Sequence, residues 1–318
     1  VSNRVFWAVA FAVAAAAFAL SLAVENEFYI RAAFVVLQFL VLATAWNLLG
    51  GYTGYVNFGT AAFFALGAYG SVVMEKLAPL PIPALVLVGG VVSGAVGLGM
   101  GYLTLRLRGA FFAIATLALA VVLQTLITNW DFVGGSRGAY IIAPAEIELL
   151  GHRIGYIRYL FLVMLLLSVI AVATARSIER SRLGFGFAAI RDDEQAAEAA
   201  GVPTLRLKLI ATTLSGALMG MAGAPYPFYI TYLDPASGFN LNYAVNSIAM
   251  PLIGGMTSWV GPIVGALLIG TIQQFAIVTS FLGASPAVNL LVVGALLVAF
   301  VILAPRGIVG MMARHKGG

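Results

Sequence analysis

The residues able to do chemistry are concentrated between Arg176 and Lys208, which together hold 11 of the 29 Asp, Glu, Lys and Arg residues of this 318-residue chain. Within that charged island, Gly184-Phe185-Gly186-Phe187-Ala188-Ala189 fits the dinucleotide pattern G-x-G-x-x-A, but no buried strand precedes it and no βαβ unit surrounds it. Outside it, Gly134-Gly135-Ser136-Arg137-Gly138 fits the nucleophile pattern G-x-S-x-G, which needs a strand before and a helix after. It falls instead between two apolar runs and reads as a glycine-rich turn. No Gly-Lys pair occurs, so no phosphate-binding loop is present. There is no cysteine, and His152 and His315 fall in loops assigned to opposite sides, so no metal site is expected. No catalytic residue is assigned, and no cofactor is expected on this chain.

The elements that must position the island are apolar. The chain is 62% hydrophobic and 9% charged, with mean hydropathy +1.02, the composition of an all-α, polytopic bundle of transmembrane helices in a single domain, residues 1–318. About ten spans are expected, near 5–24, 31–49, 55–74, 83–105, 109–128, 158–175, 209–230, 243–256, 262–282 and 286–304. A charge at the centre of a span costs ~2.5–3.5 kcal/mol, so the island belongs in water. Placing it inside puts twelve basic residues inside (Arg4, Arg106, Arg108, Arg176, Arg180, Arg182, Arg191, Arg206, Lys208, Arg306, Arg314 and Lys316). Five lie outside (Arg31, Lys76, Arg137, Arg153 and Arg158), and this bias places both termini in the cytoplasm. Residues 243–256 are short, contain Pro251 and end in Gly254-Gly255, so a re-entrant segment competes with a crossing there. The first apolar run is longer than a signal-peptide core and reads as a retained span. The net charge of +5 is a topology signal and does not point to nucleic acid.

By these boundaries no charged residue lies well inside hydrocarbon, which argues against a proton-coupled secondary carrier and moves the energy source to another chain. Gly90-x-x-x-Gly94, Gly97-x-x-x-Gly101, Gly216-x-x-x-Gly220 and Gly261-x-x-x-Gly265 suit close helix packing. Two segments, Gly50–Gly59 and Gly254–Pro262, share Gly-Gly-x-Thr-(Gly/Ser)-aromatic-Val. Broken backbone at membrane depth is tolerated where it lines a cavity or is covered by protein. Asn47, Tyr52, Asn57, Thr60 and Asn246, at or beside these breaks, are therefore the candidates for a translocation path.

In the island, the stretch Ala189–Ala200 is expected to form one short amphipathic helix. Ala189, Ala196 and Ala200 share a side with Ile190 and Ala197 beside them, while Arg191, Asp192, Glu194, Gln195 and Glu198 face away. Asp192 and Asp193 suit its start, Gly201 a left-handed cap and Pro203 its end.

The run RLGFGFAAIRDDEQAAEAAGVPTLRLK, then SGALMGMAGAPY and PLIGGMTSWVGPIVGALLIG, with NLLGGYTGYVNFGTAAFFALGAYG earlier, resembles the permease subunits of bacterial branched-chain amino-acid ABC importers. The resemblance is to the M-type partner in particular, and it covers nearly the whole chain. The resemblance implies a multi-pass protein of the bacterial cytoplasmic (inner) membrane working with a second permease subunit, two cytoplasmic ATPases that hold ATP and magnesium, and an extracytoplasmic substrate-binding protein. It also implies an ATPase-coupling role for Gly184, Ala189, Ile190, Arg191, Asp192, Asp193, Glu194, Ala196, Ala197, Glu198, Ala200 and Gly201. The family's Glu-Ala-Ala followed three residues later by Gly survives as Ala196-Ala197 and Gly201, with Gln195 in place of Glu. Relatives of this kind carry branched-chain amino acids, and some carry urea, amides or aromatic acids. A stand-alone channel would share the neutral spans but has no use for the charged helix; a membrane scaffold could use that helix without transport.

Overall fold

The computed structural model describes residues 3–278 except 79, 105, 106, 108, 143–145, 150 and 151, and beyond these 291, 294, 295, 298 and 307–314. The span expected at 286–304 falls largely outside the described residues, as do Arg106, Arg108, Arg306, His315 and Lys316.

Long helices dominate: α1 (Asn3–Ala23), α2 (Glu27–Thr53), α3 (Thr60–Leu77), α4 (Ile82–Thr104), α5 (Ala110–Thr128) and α6 (Tyr156–Glu179) precede the island. After α7 (Arg182–Asp192) and α8 (Glu194–Ala199) come α9 (Thr204–Gly223), the short α10 (Tyr226–Ile230) and α11 (Pro235–Gly238), then α12 (Leu241–Gly254) and α13 (Val260–Val278). Six stretches among the described residues are long and apolar enough to cross a membrane: Arg4–Ala23, Glu27–Thr53, Ile82–Thr104, Ala110–Thr128, Tyr156–Glu179 and Thr204–Ile230.

Several expected boundaries are corrected. The third helix begins at Thr60 and not at 55, because Gly54 takes a left-handed turn (φ 79°) and residues 54–58 leave the helix. The run 209–230 is broken after Gly223, ahead of Pro225, and α12 has 14 residues, which rise only ~21 Å. The all-α expectation also misses four short strands among the described residues. β1 (Ala139–Tyr140) pairs antiparallel with β4 (Tyr232–Leu233), and β2 (Glu146–Leu149) with β3 (His152–Gly155). The Gly134–Gly138 stretch is a pair of tight turns with positive φ at Gly134, Gly135 and Gly138, feeding β1. That is the glycine turn the sequence implied and not a nucleophile elbow.

Burial separates helices that hydropathy cannot. From Gln38 to Thr53 every residue of α2 is buried, with Trp46, Leu42, Leu48 and Leu49 fully enclosed by α6, α9, α12 and α13. α5 is as apolar yet buries only Phe112, Thr116 and Ile127, leaving the rest of its surface suited to lipid. The glycine motifs make the close seams expected of them. A Cβ at Gly90 would sit 2.6 Å from Met221 Cε, and one at Gly97 3.2 Å from the Thr212 carbonyl oxygen, so α4 and α9 meet backbone to backbone.

Two ends can be distinguished. At one, Arg158 donates to the Val24 carbonyl (3.0 Å), Lys76 donates to the Phe132 carbonyl (2.7 Å), and the β1–β4 pair gathers. At the other lie α7, α8, both glycine-broken segments and the start of α1, where Phe6 packs edge-on against Trp259 (5.6 Å) and under the Arg176 guanidinium (4.1 Å).

Candidate functional site

The island folds as two helices and not one. Ser181 caps α7 by accepting the Leu183 N–H (3.2 Å), so the helix starts upstream of Ala189, and Gly184 and Gly186 lie within it despite their poor helix propensity. Close approach explains them: a Cβ at Gly184 would lie 2.8 Å from the Glu179 carbonyl oxygen, and one at Gly186 2.6 Å from Leu207 Cδ1. Asp193 then leaves the helix (φ −161°, ψ 108°) and accepts the N–H groups of Gln195 (2.9 Å) and Ala196 (3.0 Å), starting α8. Asp192 thus ends one helix, and Asp193 starts the next. Gly201 takes the left-handed cap as expected (φ 83°): Val202 N–H donates to the Ala197 carbonyl and Gly201 N–H to that of Glu198, both at 2.9 Å.

The break resets the helical phase, and the expected alanine face is corrected. Ala196 and Ala200 are exposed, but Ala197 is buried and Ala189 half-buried. Ile190 is buried with Phe187, whereas Arg191, Asp192, Gln195 and Glu198 are exposed as expected. Glu194 points the other way. Its carboxylate is 12% exposed, accepts from Lys208 Nζ at 2.7 Å and from the Tyr55 hydroxyl at 2.5 Å, and so ties α8 to α9 and to the first glycine-broken segment. Lys208 is itself buried and also donates to the Tyr55 hydroxyl oxygen (3.1 Å).

Charges therefore do lie within the helical bundle, at its island end. The hydropathy edges at 175 and 209 left out Arg176, Glu179 and Lys208, but α6 runs on to Glu179 and α9 begins at Thr204. Sequence reasoning also missed Phe185, which is 73% exposed on α7. The signal was available: half-buried Leu183 and buried Phe187 and Ile190 form the inward stripe at helical spacing, and Phe185 falls opposite it.

The path candidates separate into three places. Asn47 and Tyr52 lie on α2 beside the second glycine segment, where a Cβ at Gly51 would sit 2.6 Å from the Met256 carbonyl oxygen. The Asn47 amide, 1% exposed, finds no hydrogen-bond partner among the described residues. Asn57 holds the first break together: Oδ1 accepts the Gly59 N–H (2.7 Å), and its backbone carbonyl accepts Trp46 Nε1–H (2.8 Å). Thr60, at the start of α3, is buried with its hydroxyl lacking a partner among the described residues. Asn246 sits apart on α12, accepting from Gln273 Nε2 at 2.8 Å.

The sequence that folds into this arrangement, with two broken helices and a charged two-helix loop clasped to one end of an apolar bundle, has relatives. A family model described as branched-chain amino acid transport system / permease component matches residues 28–301. The chain belongs to this permease family. It is 28% identical over 295 residues to the high-affinity branched-chain amino acid transport system permease protein LivM of Salmonella typhimurium and 27% identical to LivM of Escherichia coli, covering 86% of this chain and 68% of each relative. To the probable branched-chain amino acid transport permease protein LivH of Methanocaldococcus jannaschii it is 25% identical over 287 residues, covering 86% of this chain and 88% of that one. The permease is thus a multi-pass membrane protein and a component of an ABC transport system, and family membership gives it a transport role and not an enzymatic one.

Proposed function

We propose that this permease passes branched-chain amino acids from an extracytoplasmic binding protein to the cytoplasm, beside a second permease, with α7 and α8 seated on two ATPases. In this reading the island end faces the cytoplasm, both termini are cytoplasmic, and about ten spans cross the inner membrane. ATP and magnesium belong to the ATPases. The observation that carries the coupling role is the exposure of Phe185 on α7 and of Ala196 and Ala200 on α8, which offer small and apolar contacts on a loop that is otherwise charged. An exposed aromatic side chain beside small residues suits contact with a partner, since aromatic residues are enriched in the cores of interfaces. The path runs beside Asn47, whose orphan amide can serve a polar solute, since buried amides are otherwise hydrogen-bonded. Phe39, two turns along α2, joins the Phe64 and Tyr243 rings, stacked at 4.2 Å, in an aromatic cluster further along.

Docking is tested by Phe185→Asp, Ala196→Glu and Ala200→Glu. Each should lower ATPase co-purification and ATP-driven uptake by roughly tenfold or more, the equivalent of about 1.4 kcal/mol, with membrane abundance unchanged. Gly201→Val should weaken docking as well, because a β-branched residue resists φ 83°. Gln195→Ala, exposed on α8, should be silent. Wild-type association in all of the charged variants would remove the coupling role. Ala197 is unsuited to this test, because it is buried in the permease itself.

A further inference from the structure

Neither docking nor solute recognition accounts for Glu179. This last residue of α6 accepts two hydrogen bonds on the same oxygen, Oε2: one from the Tyr52 hydroxyl (3.1 Å) and one from the Trp259 backbone N–H (2.7 Å). Tyr52 belongs to the first glycine-broken segment and Trp259 to the second. One carboxylate of the island therefore staples together the two segments flanking the proposed path. They already touch, as the closeness of Gly51 to the Met256 carbonyl shows.

We propose that Glu179 is the latch of the path's inner mouth, holding the two glycine segments together until movement of α7 withdraws it. Three features support this. The bonds are charge-assisted and directional, so they break over a small displacement. Glu179 lies two residues before Ser181, the cap of α7, and α7 rests on it through Gly184, where a Cβ would fall 2.9 Å from Glu179 Cα. A shift of α7 would therefore bear directly on the residue that carries the carboxylate. Finally, the second donor is a backbone N–H, so the latch engages the fold of the second segment and does not depend on its side chains.

This rests on reading α7–α8 as the coupling element, and the test separates the two. The chain has no cysteine, so Asn47→Cys, one helical turn beyond Gly51, gives a unique label site on this subunit. The whole importer is placed in inside-out vesicles without ATP and exposed to a membrane-impermeant methanethiosulfonate. The Asn47→Cys background should label slowly. Adding Glu179→Gln should speed labelling roughly tenfold, and Tyr52→Phe, which removes one of the two bonds, by less. Co-purification of the ATPases should be unchanged in both. Equal labelling rates with ATPases still bound would overturn the latch and leave coupling intact. If Glu179→Gln fails to reach the membrane, Tyr52→Phe decides by the same readout.

Discussion

Gly265→Val should remove the permease from the membrane fraction. A Cβ at Gly265 would lie 2.6 Å from the Met250 carbonyl carbon and closer still to its oxygen, and Gly254 and Gly261 are as tightly opposed across the α12–α13 seam. Backbone, and not a flexible side chain, stands in the way, so the helices must part. Overpacking costs ~1–3 kcal/mol where neighbours can adjust and more where they cannot, so correctly assembled protein should fall by about tenfold or more. The comparison is Gly99→Ala, in α4, where nothing lies within 4 Å of the added carbon. It should be neutral or mildly stabilising. Membrane abundance by immunoblot, with detergent-solubilised gel filtration, measures both. Normal amounts of monodisperse Gly265→Val would mean that the seam does not govern assembly.

The second large effect is expected at Lys208. The Lys208 and Glu194 side chains are 4% and 12% exposed, so their pairing is shielded from solvent and salt. Removing one member of a buried pair typically costs ~3–5 kcal/mol, whereas replacing both with apolar groups is often close to neutral. Lys208→Met should accordingly lower thermal stability in detergent sharply, and Lys208→Met with Glu194→Met should recover most of the loss. ATP-driven uptake should stay low in the double variant, because α8 then loses the Glu194 carboxylate that holds it to Lys208 of α9 and to Tyr55, and keeps to α9 the weaker contact of Glu198 with the Thr204 hydroxyl. A double variant that recovers stability and transport alike would make the pair a packing element with no part in coupling.

Much of this site could be read from the residues. Gly201 followed by Val202-Pro203 announces a helix end, the G-x-x-x-G pairs announce close seams, and the repeated Gly-Gly-x-Thr announces two breaks. These are local signals, set by backbone chemistry within a few residues. The inward turn of Glu194 was not legible, because it depends on Asp193 competing with the helix for its own N-terminal N–H groups and on a lysine 14 residues away on another helix. Hydropathy also truncated α6 and α9. A buried ion pair or a carboxylate accepting two N–H or O–H donors lets a helix carry charge past the point where composition alone would end it. Likewise hydropathy marks both α2 and α5 as long apolar helices without telling that α2 is enclosed by its neighbours and α5 is largely exposed on this chain.

The Asp193 break gives the island two legs of different length, about 16 Å for α7 and 9 Å for α8. One foot stands on α6, where Gly184 meets Glu179, and leans on α9 where Gly186 meets Leu207. The other stands on α9, through Lys208 and through the Thr204 hydroxyl donating to Glu198 at 2.6 Å. A load applied at the apex is therefore split between a helix that ends at the island and one that begins there. On the proposed docking role, a displacement of the island by a partner would reach both helices at once through the two legs.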